Sequence, residues 1–233
     1  MKTTINQKVA AFDKVLGLCG TLGSRYQPTK ESINPSGLQE TLQRAKQTMD
    51  LVNVWWEANT SAISERAHLY AMLPVFSTRV INSLRLAGAS QEVIEDAMML
   101  KRRFYYRKPA GKRVSASDAE SDQTRKGNSS VQLDYLSITE LFEKLVYLVT
   151  KVPAYATNES DLTIEALNQH LASLRQASDN VRATQIQLEV ARSRRDETLR
   201  AMTKEAGDVK RYVRTAFGHT SPEFKMLTKI RFH

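Results

Sequence analysis

From Leu38 to Leu73 apolar positions recur in steps of four and three, through Leu38, Leu42, Ala45, Met49, Val52, Trp56, Asn59, Ile63, Arg66, Tyr70 and Leu73. No Gly or Pro interrupts the run. Such a seam predicts one long helix over 38–73, which Pro74 kinks or ends because its ring removes a backbone donor. A second seam runs through Leu167, Leu171, Leu174, Ser178, Val181, Gln185, Leu188, Arg192, Arg195, Leu199 and Met202. It predicts a helix over 164–206, capped by Asp161 or Thr163 and weakened or broken at Gly207. Shorter helices are expected at Ile5–Leu22, at 75–87 with Gly88 as cap, from Ser90 onward, from Leu133 through Leu148 with an end near Pro153, and at Val209–Phe217 with Gly218 closing it. Ser221-Pro222-Glu223 opens a last turn. The fold class is all-α.

The two seams coincide when the chain is shifted so that Leu38 falls on Leu167. Over the stretch from Tyr26 to Ala87 this register gives 12 identities, among them Tyr26 with Tyr155, Leu38 with Leu167, Ala62 with Ala191, Arg66 with Arg195 and Val80 with Val209. Ordinary composition gives roughly four by chance. Lengthening the shift by one position adds Phe12 with Phe142 and Gly88 with Gly218. The expected organisation is a helical repeat at 1–107, a polar linker at 108–130 and a second repeat at 131–233. A long helix with one apolar seam must bury it. The economical arrangement is therefore a duplicated bundle, packed as one domain about a pseudo-two-fold axis; the alternative is two independent lobes spanned by the linker.

Charge changes this picture only locally. The chain carries 34 Lys and Arg against 25 Asp and Glu, a net charge of +9. Seven cations lie between Lys101 and Arg113, and without them the rest of the chain carries only +2. Lys101, Arg102, Arg103, Arg107, Lys108, Lys112 and Arg113 are interleaved with Tyr105 and Tyr106, a mixture suited to pairing with phosphates while stacking on bases. The competing explanation is a helix end, where cations oppose the negative end of the dipole and Phe104 covers a core edge. On that explanation 101–107 continue the helix begun near Ser90, Pro109 ends it, and 110–130 are mobile. Arg66 and Arg195 share a seam position. They are candidates for an anion or partner site at the pseudo-axis, or else for pairing with a neighbour such as Glu65 or Asp196.

Other chemistry finds little support. His68, His170, His219 and His233 form no metal-binding spacing and are expected at the surface. Ala110-Gly111-Lys112 lacks the upstream glycine of a phosphate-binding loop. The single Cys19 sits on an apolar helical face, where it serves as a small core residue. Adjacent carboxylates such as Glu95-Asp96 and Asp196-Glu197 diverge by about 100° on a helix. No apolar run reaches the ~18 residues of a membrane span, and Asp13 and Lys14 interrupt what would be a signal sequence. The expectation is a cytoplasmic protein without enzymatic activity, cofactor, small-molecule substrate or membrane association.

The run Val209-Lys-Arg-Tyr-Val-Arg-Thr-Ala-Phe-Gly-His-Thr-Ser-Pro-Glu-Phe-Lys, with Lys229-Ile-Arg-Phe232, resembles part of an uncharacterised family of small bacterial all-helical proteins. So does Tyr155-Ala-Thr-Asn-Glu-Ser-Asp-Leu-Thr-Ile-Glu-Ala-Leu167, with Ala191-Arg-Ser-Arg-Arg-Asp196 further on. The resemblance covers mainly 135–232 and implies a helical fold, with no activity or site residue attached. The expected role is that of a structural or interaction protein that self-associates or docks a protein partner. The alternative is nucleic-acid binding through Lys101–Arg113.

Overall fold

The computed structural model describes residues 4–104 and 134–232. Among them the chain forms six α-helices and two short 3₁₀ turns, with no strand: α1 (Ile5–Leu22), α2 (Pro35–Leu86), α3 (Gln91–Phe104), α4 (Tyr135–Thr150), α5 (Ile164–Phe217) and α6 (Pro222–Lys229). Local chemistry accounts for the starts. The Thr4 hydroxyl and Gln7 side chain form a capping box on α1, and the Asp134 side chain accepts from the Ser137 amide on α4. Asn34 Oδ1 accepts from the Gly37 amide at 2.7 Å, with Pro35 opening α2. A Cβ on Gly37 would lie 2.4 Å from the Glu31 carbonyl, so this turn needs glycine. Thr163, rather than Asp161, caps α5. Gly88 and Gly218 take φ of 73° and 87° behind the two long helices, a region costly for other residues.

Neither Pro74 nor Gly207 ends its helix. α2 runs through Pro74 for 52 residues and α5 runs through Gly207 for 54. A mid-helix proline costs about 3 kcal/mol. Leu73, Val80, Ile81 and Leu84 are all buried around it, each worth ~1.5–3 kcal/mol, so packing outweighs the lost bond. The Ser77 and Thr78 hydroxyls both donate to the Pro74 carbonyl at 2.9 Å. At Gly207 the cost is only about 1 kcal/mol, against buried Ala206, Val209 and Val213.

The seams also drift. Trp56 and Ile63 are 54% and 42% exposed, and Gln185 is exposed, whereas Ala62, Thr184 and Ala191 are buried instead. An α-helix turns every 3.6 residues, so a strict heptad repeat rotates by about 20° per heptad and leaves the buried face.

The chain divides into two compact units. The first comprises residues to Thr60 together with those from Ala183 onward, and the second is Ser61–Arg182. The units therefore cut across the contiguous halves 1–107 and 131–233, and both long helices contribute to both units. In the first unit Phe12, Val15 and Cys19 of α1 pack with Leu38 and Leu42 of α2, Met202, Val209 and Val213 of α5, and Leu227 of α6. In the second, Phe142, Leu145 and Val149 of α4 pack with Leu167 and Leu171 of α5, Leu73, Val80 and Leu84 of α2, and Ala97 of α3.

Several positions matched by the sequence shift take the same local structure. Tyr26 donates to the Ile33 carbonyl at 2.7 Å, and Tyr155 donates to the Leu162 carbonyl at 2.8 Å. Each bond is buried and closes a loop of the same length. Phe12 and Phe142, Leu38 and Leu167, and Val80 and Val209 are all fully buried.

Candidate interaction sites

α3 separates its charges along its length. Glu92 lies in the first turn and Lys101, Arg102 and Arg103 in the last, so each sign faces the helix end that stabilises it. Phe104, the last residue of α3, packs half-buried against the core of the second unit. Arg102 and Arg103 are exposed, Arg102 at the edge of a surface cavity. The remaining candidates Tyr105, Tyr106, Arg107, Lys108, Lys112 and Arg113, together with Pro109 and the linker, lie outside the described residues.

Arg66 belongs to the second unit and Arg195 to the first. The Arg66 guanidinium lies 3.9 Å from the centre of the Tyr135 ring, and its Nε is buried without a hydrogen-bond partner. Arg195 donates from Nε and Nη2 to Asp196 Oδ1, at 2.9 and 2.8 Å. Each arginine thus has a local partner of its own.

The sequence pattern did not reveal what lies beneath Arg66. Tyr135 packs edge-on against Tyr70, at 4.7 Å between centroids. The Tyr70 hydroxyl lies 2.5 Å from Thr139 Oγ1 and 3.1 Å from Ser178 Oγ, a buried polar hub that ties α2, α4 and α5 together. The only sign of it was a tyrosine, with a polar tip, at a seam position.

Two further buried polar groups were expected at the surface or carried no sequence signal. His170 sits among aromatic rings, 4.9 Å from Phe76 and 5.4 Å from Phe142, with Nε2 buried and unpartnered. Burial depresses its pKa, favouring neutral imidazole. In the first unit the positions matched to His170 and Phe76 hold Thr41 and Glu205. The Thr41 hydroxyl donates to Glu205 Oε1 at 3.3 Å, while Oε2 is buried without a partner. Burial pushes the Glu205 carboxyl up. Cys19 is buried beside Tyr26, and desolvation raises both its thiol and the Tyr26 phenol, disfavouring a reactive thiolate.

Among the described residues no three His, Cys, Asp or Glu side chains converge to hold a metal ion. No described helix is long and apolar enough to cross a membrane. His170 and Cys19 stand among apolar and aromatic neighbours, and Glu205 beside the Thr41 hydroxyl with Arg44, Lys30 and Asp208 nearby, an arrangement suited to packing within a helical unit. No protein-family model, curated protein or solved structure matches this chain.

Proposed function

We propose that this chain is a non-enzymatic interaction protein, a duplicated helical scaffold of cytoplasmic setting that associates with itself or docks a protein partner. The observation that carries this reading is the recurrence of one local architecture around Tyr26 and Tyr155, with each compact unit drawing helices from both halves. Such a composition fits two associating helical chains joined into one, as in the isologous dimers common among homo-oligomers. Sedimentation equilibrium at two widely separated concentrations tests the self-association arm. The expected result is a mass above 26.4 kDa that rises with concentration. A constant monomer mass at both concentrations rejects self-association.

A second reading, nucleic-acid binding, is favoured by the exposed Arg102 and Arg103 at the end of α3, where the basic segment begins. Its signature is affinity for DNA or RNA that falls steeply with added salt.

A further inference from the structure

Four surface cavities among the described residues differ in one chemical respect. The groove lined by Asn6, Asp13, Lys46 and Asp50 mixes acids with its cation, and so does the groove lined by Lys8, Asp196, Arg200 and Lys204. The other two cavities carry cations and no carboxylate among their lining residues.

Those two occupy corresponding places. In the second unit a cavity of about 180 Å³ lies between α2 and α3, lined by Thr78, Arg85, Met98, Lys101 and Arg102 among others. In the first unit a cavity of about 540 Å³ lies between α5 and the chain around α6, lined by Gly207, Lys210, Thr228, Arg231 and Phe232 among others. The shift that carries Leu38 onto Leu167 also carries Thr78 onto Gly207. Lengthened by one position, it carries Met98 onto Thr228 and Lys101 onto Arg231. Only one cation recurs at a matched position, because Lys210 falls on Ile81 and Arg102 on Phe232; each pocket otherwise carries its own cations, with no carboxylate among its lining residues.

The cations are placed to receive an anion. The Arg85 guanidinium contacts two neutral groups, Asn82 Oδ1 and Met98 Sδ, each at 3.3 Å, and neither cancels its charge. Lys210 Nζ donates to the Ile230 carbonyl at 2.6 Å beside the Phe232 ring, leaving ammonium protons for a second acceptor. Its burial depresses the ammonium pKa, a cost that a neighbouring anion relieves. Nothing lies within 4 Å of where a Cβ on Gly207 would stand, so this cavity has an open floor at the backbone. Two cations lining a small cavity suit a phosphate group, which carries more charge and more acceptors than a carboxylate.

We propose that each unit carries a phosphate-binding pocket at this shared position, formed by Arg85 and Arg102 in one unit and by Lys210 and Arg231 in the other. The proposal does not rest on self-association or on the segment beyond Phe104. The ligand is a phosphate group, supplied either by a free phosphate compound or by a nucleic-acid backbone.

The test is calorimetric titration of the full chain with inorganic pyrophosphate, at ionic strength matched with chloride. Two sites per chain are expected. Arg85→Gln with Arg102→Gln removes one, and Lys210→Gln with Arg231→Gln removes the other, each weakening its site by about tenfold or more. Gly207→Leu keeps every cation and fills the floor of the first-unit pocket, so it removes that site even if the Lys210 variant is unstable. Lys8→Gln with Lys204→Gln leaves both sites intact. A short single-stranded oligonucleotide that competes with pyrophosphate identifies the source as nucleic acid, and saturable pyrophosphate binding without such competition identifies a free phosphate compound. Absence of saturable binding, or binding unchanged when all four cation substitutions are combined, overturns the proposal.

Discussion

The two units bury the same side chains at several positions matched by the sequence shift, among them Phe12 and Phe142 and the tyrosines Tyr26 and Tyr155, and differ in chemistry at others. Where the second unit buries the Tyr70, Thr139 and Ser178 hydroxyls together, the matched positions of the first hold Leu199, Val9 and Met49. Where the second unit sets His170 against Phe76, the first sets Thr41 against Glu205. The surface ion pairs are reversed in sign. Arg79 on α2 pairs with Asp161 in the loop before α5, whereas Asp208 on α5 pairs with Lys30 in the loop before α2. These differences show that the halves of the chain complement each other and not themselves. Were the first half to pack against its own second portion, the Tyr70 hydroxyl would meet Val9 and Met49, and Lys30 would face Arg79. An orphaned buried hydroxyl costs about 1–3 kcal/mol, more than any exposed charge contact contributes. The buried hub is therefore the stronger determinant of correct pairing, and the ion pairs reinforce it.

The largest effect tests what the units have in common. Phe12→Ala and Phe142→Ala each empty a fully buried site, Phe12 against Phe232 and Phe142 between Phe76 and His170. Each is expected to cost about 3–5 kcal/mol in urea unfolding. A loss several-fold smaller in one unit breaks the equivalence.

The next effect tests the contrast. Tyr70→Phe strips the hub of its central hydroxyl and should cost about 1–3 kcal/mol. At the matching position Leu199→Met conserves volume among apolar neighbours and should cost less than about 1.5 kcal/mol. Equal losses would mean that the hub adds nothing beyond apolar packing.

Acid and base should act on the units in opposite directions. His170 has a folded pKa below its ordinary 6.5, so its contribution is complete above that value. As the pH falls below 6.5 the unfolded chain takes up the proton first and stability is lost. Glu205 has a folded pKa above its ordinary 4.5, so its contribution is complete below that value. It is lost as the pH rises from 4.5 through the raised folded value, because the unfolded carboxyl ionises first. Melting temperatures across this range should flatten on the acid side in His170→Phe and on the alkaline side in Glu205→Gln. Parallel pH profiles for the two variants and the parent would refute the assignment.

The smallest effect belongs to the reversed ion pairs. Arg79→Asp should cost up to about 1 kcal/mol, and Asp161→Arg added to it should recover most of that loss. Recovery that persists unchanged in molar salt would argue against a charge origin.

The all-helical class and the helix starts at Ser90, Thr163 and Ser221 follow from local chemistry visible in the chain itself: spacing, caps, and glycines behind the long helices. The correspondence of Tyr26 with Tyr155 and of Leu38 with Leu167 was likewise visible, because matching faces require matching side chains. Tertiary structure alone decided the rest. Pro74 and Gly207 carry local penalties of about 3 and 1 kcal/mol, and only burial on both sides of them outweighs those costs. His170 looked like a surface histidine because no local signal marks the approach of Phe76, which lies on the other long helix. The cations of the two phosphate pockets were legible one by one, but not which side chains would line a cavity with them. The division into units was equally hidden: which half of each long helix meets which partner depends on contacts between distant residues, and seam periodicity records the face of a helix without naming what covers it.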